Sequence, residues 1–270
     1  MFARISALVA PKTTPNDVLA HAFRRVSRGI GVTAIAMPVV TLIFGVLPFL
    51  RPDGIQDSLS HYYYVPVMGD FFVGSLFFIG ILFFFFFHSN GKPIPGWDKV
   101  YPFESWLMRA AGLLAIGIAI FPTGYPGTEN WQTEQQRPYF ENGAVVSPPD
   151  WAHIRFGDFV LEYHYICAVA MFLILAWFTL KVFPRVHDDS STLEGGAMTL
   201  IKRARNRWYR RLGWIIAISI VFIGAGSFGG IVSGETWTAW NGTFIGELVA
   251  LVAFGFAWLI KGRVFRRLND

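Results

Sequence analysis

The chain has little of what builds a soluble enzyme. Only 15% of its 270 residues are charged, and it has one cysteine, Cys167. A single thiol excludes an intrachain disulfide and any C-x-x-C metal or redox site. Also missing are an H-x-x-x-H pair, a G-x-S-x-G elbow, a phosphate-binding glycine loop and a dinucleotide fingerprint, which disfavours soluble hydrolase, nucleotide-binding and Rossmann readings. What abounds is apolar: 53% hydrophobic residues, with 27 Phe. A soluble domain of that composition would be covered in exposed apolar surface.

Six long apolar runs account for it: Ile30 to Leu50, Phe71 to Phe87, Leu107 to Phe121, Val160 to Phe183, Leu212 to Val232 and Thr243 to Ile260. Each approaches the roughly 20 residues that a helix needs to cross about 30 Å of hydrocarbon. The expected fold is all-α and polytopic, with six transmembrane helices. Of 23 Lys and Arg residues, 20 fall on one side of that topology: five before the first run, three between the second and third, eight between the fourth and fifth, and four after the last. Only Arg51, Arg137 and Arg155 lie opposite. The positive-inside rule then places both termini in the cytoplasm. The net charge of +5 points to anionic inner-leaflet lipid, not nucleic acid.

Residues 1–29 read as a basic amphipathic helix on the inner surface, entered at Thr14-Pro15, with Val18, Leu19, Ala22, Phe23 and Val26 opposite Arg24, Arg25 and Arg28. The opening apolar stretch is short and a full span follows, so no signal cleavage is expected. Residues 30–262 form the membrane domain, with an outer loop at about 123–159, a basic cytoplasmic loop at about 184–211 and a tail at 263–270. The segment Ala197 to Arg211 repeats the basic amphipathic pattern. The long third connection carries Tyr125, Trp131, Tyr139, Phe140 and Trp151 and is expected to cap the outer end, as long functional loops do.

Candidate chemistry gathers on that outer side. The three spans descending from it each carry a glycine followed by an acid: Gly69-Asp70, Gly157-Asp158 and Gly246-Glu247. Three carboxylates at one level is one reading; acids that complement a helix N-terminus is the other. Glu247 is the deepest, and at that depth an ionisable group must face the bundle and find a partner, such as a histidine, a tyrosine hydroxyl or a cation. Ser58, Ser60, His61, Tyr62, Tyr63 and Tyr64 precede the second span, and His153, Arg155, Glu162 and His164 lead into the fourth. Asp158 and Glu162, four apart, would share a helix face and repel unless Arg155, a proton or a metal intervenes.

His61, Asp70, His164 and Glu247 could supply a zinc site assembled from separate helices. Ser58 or Ser60 beside His61 has the residue types for nucleophilic catalysis. The aromatics Tyr62 to Tyr64, Trp151, Trp237 and Trp240 also suit an interfacial belt.

The stretch S-L-S-H-Y-Y-Y-V-P-V-M-G-D-F-F-V-G (Ser58 to Gly74), with R-N-R-W-Y-R-R-L-G (Arg205 to Gly213) and F-G-F-A-W-L-I-K-G (Phe254 to Gly262), resembles a family of uncharacterised bacterial six-span membrane proteins. That resemblance implies the bacterial inner membrane and no assigned activity. A Ser and His ahead of an Asp, plus later histidines, more distantly resembles the alkaline-ceramidase and progestin-receptor-like superfamily, implying zinc-dependent lipid hydrolysis. That superfamily has seven helices and a late H-x-x-x-H, whereas this chain has neither.

Together these observations favour an outward polar pocket for a lipid headgroup or small amphiphile, formed by Ser58, His61, Tyr62, Tyr63, Asp70, Asp158, Glu162, His164 and Glu247. Ser60, His61, Asp70 and Glu247 are the catalytic candidates. The alternatives are a metal-dependent lipid hydrolase and a non-catalytic accessory subunit of a larger membrane complex, with other membrane proteins as its partners. Transport is less favoured, since Pro38 is the only proline near the middle of a span.

Overall fold

The computed structural model describes residues 15–47, 54–86, 103–124, 139–141, 144–146, 150–157, 159–185, 191–193 and 196–269. Helices α1 (Pro15–Val46), α2 (Met68–Phe86), α3 (Phe103–Ile120), α4 (Tyr163–Trp177, continuing as a π turn over Phe178–Val182), α5 (Leu200–Ser227), the short α6 (Gly234–Ala239) and α7 (Gly242–Lys261) dominate it. Six of them, all but α6, are long and apolar enough to cross a membrane. The fold is an all-α six-span bundle.

Three expectations on element boundaries change. The stretch expected to form its own surface helix is continuous with the first span: α1 runs unbroken from Pro15 to Val46. The basic segment before the fifth span is likewise the first part of α5, started by Thr199, whose hydroxyl accepts the Lys202 N–H at 3.1 Å. Gly29 and Gly31 in α1 and Gly213 in α5 stand at these junctions, but a single glycine costs a helix only about 1 kcal/mol, so each helix propagates through. The fourth span begins at Tyr163, not Val160. The residues before it pair as an antiparallel hairpin, β3 (His153–Phe156) and β4 (Phe159–Glu162), with Gly157 at φ +63 after β3. A second short hairpin joins β1 (Tyr139–Glu141) to β2 (Ala144–Val146).

The spans form a closed ring in the order α1, α2, α3, α4, α5, α7. Close approach depends on glycine pairs. A β-carbon on Gly31 would lie 2.8 Å from the Gly255 carbonyl oxygen, and one on Gly112 would lie 2.5 Å from that of Gly80. Buried hydroxyls inside the spans are satisfied locally, Ser27 donating to Phe23 O and Thr179 to Leu175 O.

One end of the ring is basic. There Phe83 stacks on Trp258, and Phe183 meets Trp258 edge-on. Cations at this end serve helix C-termini: Arg28 Nε donates to Gly262 O at 2.8 Å, and Lys202 Nζ to Phe183 O at 3.2 Å and Arg185 O at 2.6 Å. Arg205 reaches Leu268 O and Ser191 Oγ, and Arg185 pairs with Glu104. Lys202 and Arg205 are 4% and 3% exposed, so these two groups neutralise carbonyl ends inside the protein. The Arg28 contact with Gly262 also places the basic part of α1 and the end of α7 at this same face of the bundle.

Candidate functional site

The opposite end is closed by a 3-10 helix, Leu59–Tyr64, all six of whose residues are buried. Its start is capped twice. Ser58 Oγ accepts the Ser60 N–H at 3.1 Å and donates to Glu247 Oε2 at 2.8 Å, and the same carboxylate oxygen accepts the Leu59 N–H at 2.7 Å. In return, the Phe244 N–H in the first turn of α7 donates to Asp57 O at 2.9 Å. Each helix start thus receives its missing acceptor from the other chain segment. Glu247 does turn into the bundle. Its protein partners are a serine hydroxyl and a backbone amide of the segment before α2, in place of the expected histidine or tyrosine.

A second group of contacts ties this plug to α3 and α4. Ser60 Oγ lies 2.7 Å from His164 Nε2, and His164 Nδ1 lies 2.9 Å from Phe121 O. A carbonyl only accepts, so Nδ1 carries the proton; in the neutral tautomer that this selects, Nε2 accepts and the Ser60 hydroxyl donates. The residues Phe121 to Gly124 act as a hub. Tyr64 Oη donates to Thr123 O at 2.6 Å, while Thr123 Oγ1 donates to Glu162 Oε2 at 2.9 Å and the Gly124 N–H to the same oxygen at 3.0 Å. The Thr123 hydroxyl is also 3.1 Å from that of Tyr165.

Burial sets the protonation of the groups outside the spans. It lowers the His61 pKa to about 4, helped by nearby His164 and opposed by a hydrogen bond with the Gly124 backbone. His61 is therefore a neutral imidazole at pH 7. Glu162 is raised by burial, against the hydrogen bonds of Thr123 and Gly124 and the proximity of His153. Burial also raises Asp57.

Several expectations need correction. Asp70 is exposed in the first turn of α2, and its neighbour Gly69 is there for space, since a β-carbon would lie 2.3 Å from Tyr63 O. Asp158 lies outside the described residues. Glu162 stands on a strand, so it shares no helix face with Asp158; Arg155 Nε donates instead to His153 Nε2 at 3.0 Å. Of the two helix-start acids other than Asp158, Glu247 is bonded to Ser58 and Leu59 while Asp70 is exposed. Among the described residues no three His, Cys, Asp or Glu side chains come together as a metal would require, which removes geometric support for zinc on His61, Asp70, His164 and Glu247. The serine and histidine that meet are Ser60 and His164, not Ser60 and His61, because successive residues of a 3-10 helix point about 120° apart.

The hub at Phe121, Thr123 and Gly124 had not been singled out. The signal for it is P-T-G directly after an apolar run, a turn that exposes backbone groups at the end of a span. Of the expected cap, the described part is the hairpin and Trp151, whose ring lies 6.2 Å from that of Phe121; Tyr125 and Trp131 lie outside the described residues.

Comparison with known proteins finds no matching family model, no matching curated protein and no matching solved structure. The family resemblance therefore stands on the quoted motifs alone.

Proposed function

We propose that this is a bacterial inner-membrane protein, with its basic end in the cytoplasm, that binds a lipid headgroup or small amphiphile at the opposite, outward end. The observation that supports this is the gathering of His61, His164, Glu162 and Glu247 around one buried 3-10 helix. Polar side chains are costly to bury at the end of an apolar bundle unless they are hydrogen-bonded, and a structural plug alone would be served by apolar residues. Among the described residues the chemistry of this end is hydrogen-bonding and acidic, with the neutral His61 imidazole, carboxylates and few cations. It suits a hydroxyl- or amine-bearing headgroup better than an anionic phosphate held by arginines.

The full chain purified in lipid nanodiscs and examined by native mass spectrometry is expected to retain a defined lipid or amphiphile. The variants His61→Asn and Glu162→Gln should each lower its occupancy about tenfold, the equivalent of one lost hydrogen bond of about 1.4 kcal/mol, without loss of the folded state. Equal occupancy in wild type and both variants would remove this reading.

A further inference from the structure

Resting on that reading of the outward end, we propose that Ser60 is a nucleophile, with His164 as its general base, for the ester carbonyl of a membrane amphiphile. Three features converge on the pair. The Ser60 Oγ to His164 Nε2 distance of 2.7 Å lies within the about 2.6 to 3.2 Å at which a base takes a proton from a nucleophile. The ring is then fixed by a third group, Phe121 O at 2.9 Å from Nδ1, which selects the tautomer whose Nε2 lone pair faces the hydroxyl and stabilises the imidazolium that forms, the role a carboxylate has in a Ser-His-Asp triad.

The backbone around both residues is also held. Ser60 sits on the 3-10 helix clamped by Glu247, and His164 is in the first turn of α4.

Depth identifies the substrate class. His164 is the second residue of the 20-residue span Tyr163–Val182, which puts it at the boundary between hydrocarbon and headgroup. Glycerolipid esters have their carbonyls at that boundary, below the headgroup and above the chains. In the step, Ser60 Oγ bonds to the ester carbonyl carbon as its proton passes to His164 Nε2. The tetrahedral adduct collapses by breaking the bond to the alcohol oxygen, which leaves with the proton from Nε2. Water then attacks the acyl carbon, giving a proton to Nε2. The Ser60–acyl bond breaks, the serine oxygen takes that proton back, and a free carboxylic acid is released.

The test uses the full chain in native membranes, treated with an alkyl fluorophosphonate, which transfers its phosphonyl group to an activated serine and releases fluoride. Peptide mass spectrometry is expected to find the adduct on Ser60, and His164→Asn should slow its formation by about 10²- to 10⁴-fold, the usual effect of losing a general base. No adduct on wild-type Ser60 would overturn the proposal without recourse to any variant. An adduct that forms as fast in His164→Asn would overturn it too. Lipid occupancy measured on the same preparations separates the two readings: retained lipid with unreactive Ser60 sinks the nucleophile and leaves the binding site, whereas reactive Ser60 with no retained lipid sinks only the binding site.

Discussion

Replacing Gly112 with valine is expected to unfold the bundle at markedly lower temperature, and Gly31→Val should act in the same way at a second interface. A β-carbon on Gly112 would meet Gly80 O at 2.5 Å and the Phe84 backbone nitrogen at 3.1 Å, while one on Gly31 would meet Gly255 O at 2.8 Å. In each case the nearest obstructing atom is a backbone carbonyl oxygen, which cannot rotate aside as a side chain can, although the Leu259 side chain also crowds Gly31 at 2.9 Å. The α2–α3 or α1–α7 pair must therefore separate, and every contact along that seam loosens. Small residues at span interfaces exist for this close approach. Overpacking a core usually costs about 1 to 3 kcal/mol, and a backbone clash falls at the upper end. Gly74 is the comparison, because it lies in α2 with nothing within 4 Å of its would-be β-carbon. Thermal unfolding of the three variants in one detergent checks this: Gly74→Val should stay near wild type, and equal stability for Gly112→Val would contradict the seam.

Glu247→Ala carries the second large effect. Its carboxylate accepts from both Ser58 Oγ and the Leu59 N–H, so alanine leaves two buried donors unpaired at the start of the plug. At about 1 to 3 kcal/mol per orphaned group the loss is on the order of 3 kcal/mol. Glu247→Gln keeps one acceptor oxygen and should cost clearly less. Hydrogen exchange at the Leu59 amide reads this out directly: fast exchange in the alanine variant and intermediate exchange in the glutamine variant are expected. Unchanged protection in Glu247→Ala would show that the clamp does not hold the plug.

Most of the architecture was legible because it rests on two simple physical signals. Apolar runs of membrane-spanning length marked the six spans, and the clusters of Lys and Arg marked the basic end, where Arg28 meets Gly262. Helix starts were less legible. Gly29 and Gly31 are the residues at which a surface helix could have stopped, yet α1 runs through both. Val160 and Leu161 are as apolar as a span end but pair with Arg155 and Ile154 as a strand, since tertiary pairing overrode a pattern that fits both.

At the candidate site, depth marked Glu247 as inward-facing, but its partners are backbone and a hydroxyl, groups every sequence has in plenty. The pairing of Ser60 with His164 spans 104 positions, and no spacing rule reaches that far. Phe121 contributes a carbonyl, so its side-chain identity carries no trace of that role.

The claim on which the functional account turns is that the plug end faces outward and the basic end faces the cytoplasm. In a Cys167→Ala background, single cysteines at Thr238, on α6 at the plug end, and at Ser190, in the basic connection, are treated in intact cells with a membrane-impermeant thiol reagent. The account predicts rapid labelling at position 238 and none at position 190 until the cells are lysed. Labelling of position 190 in intact cells, with position 238 protected, would turn the bundle over and contradict it.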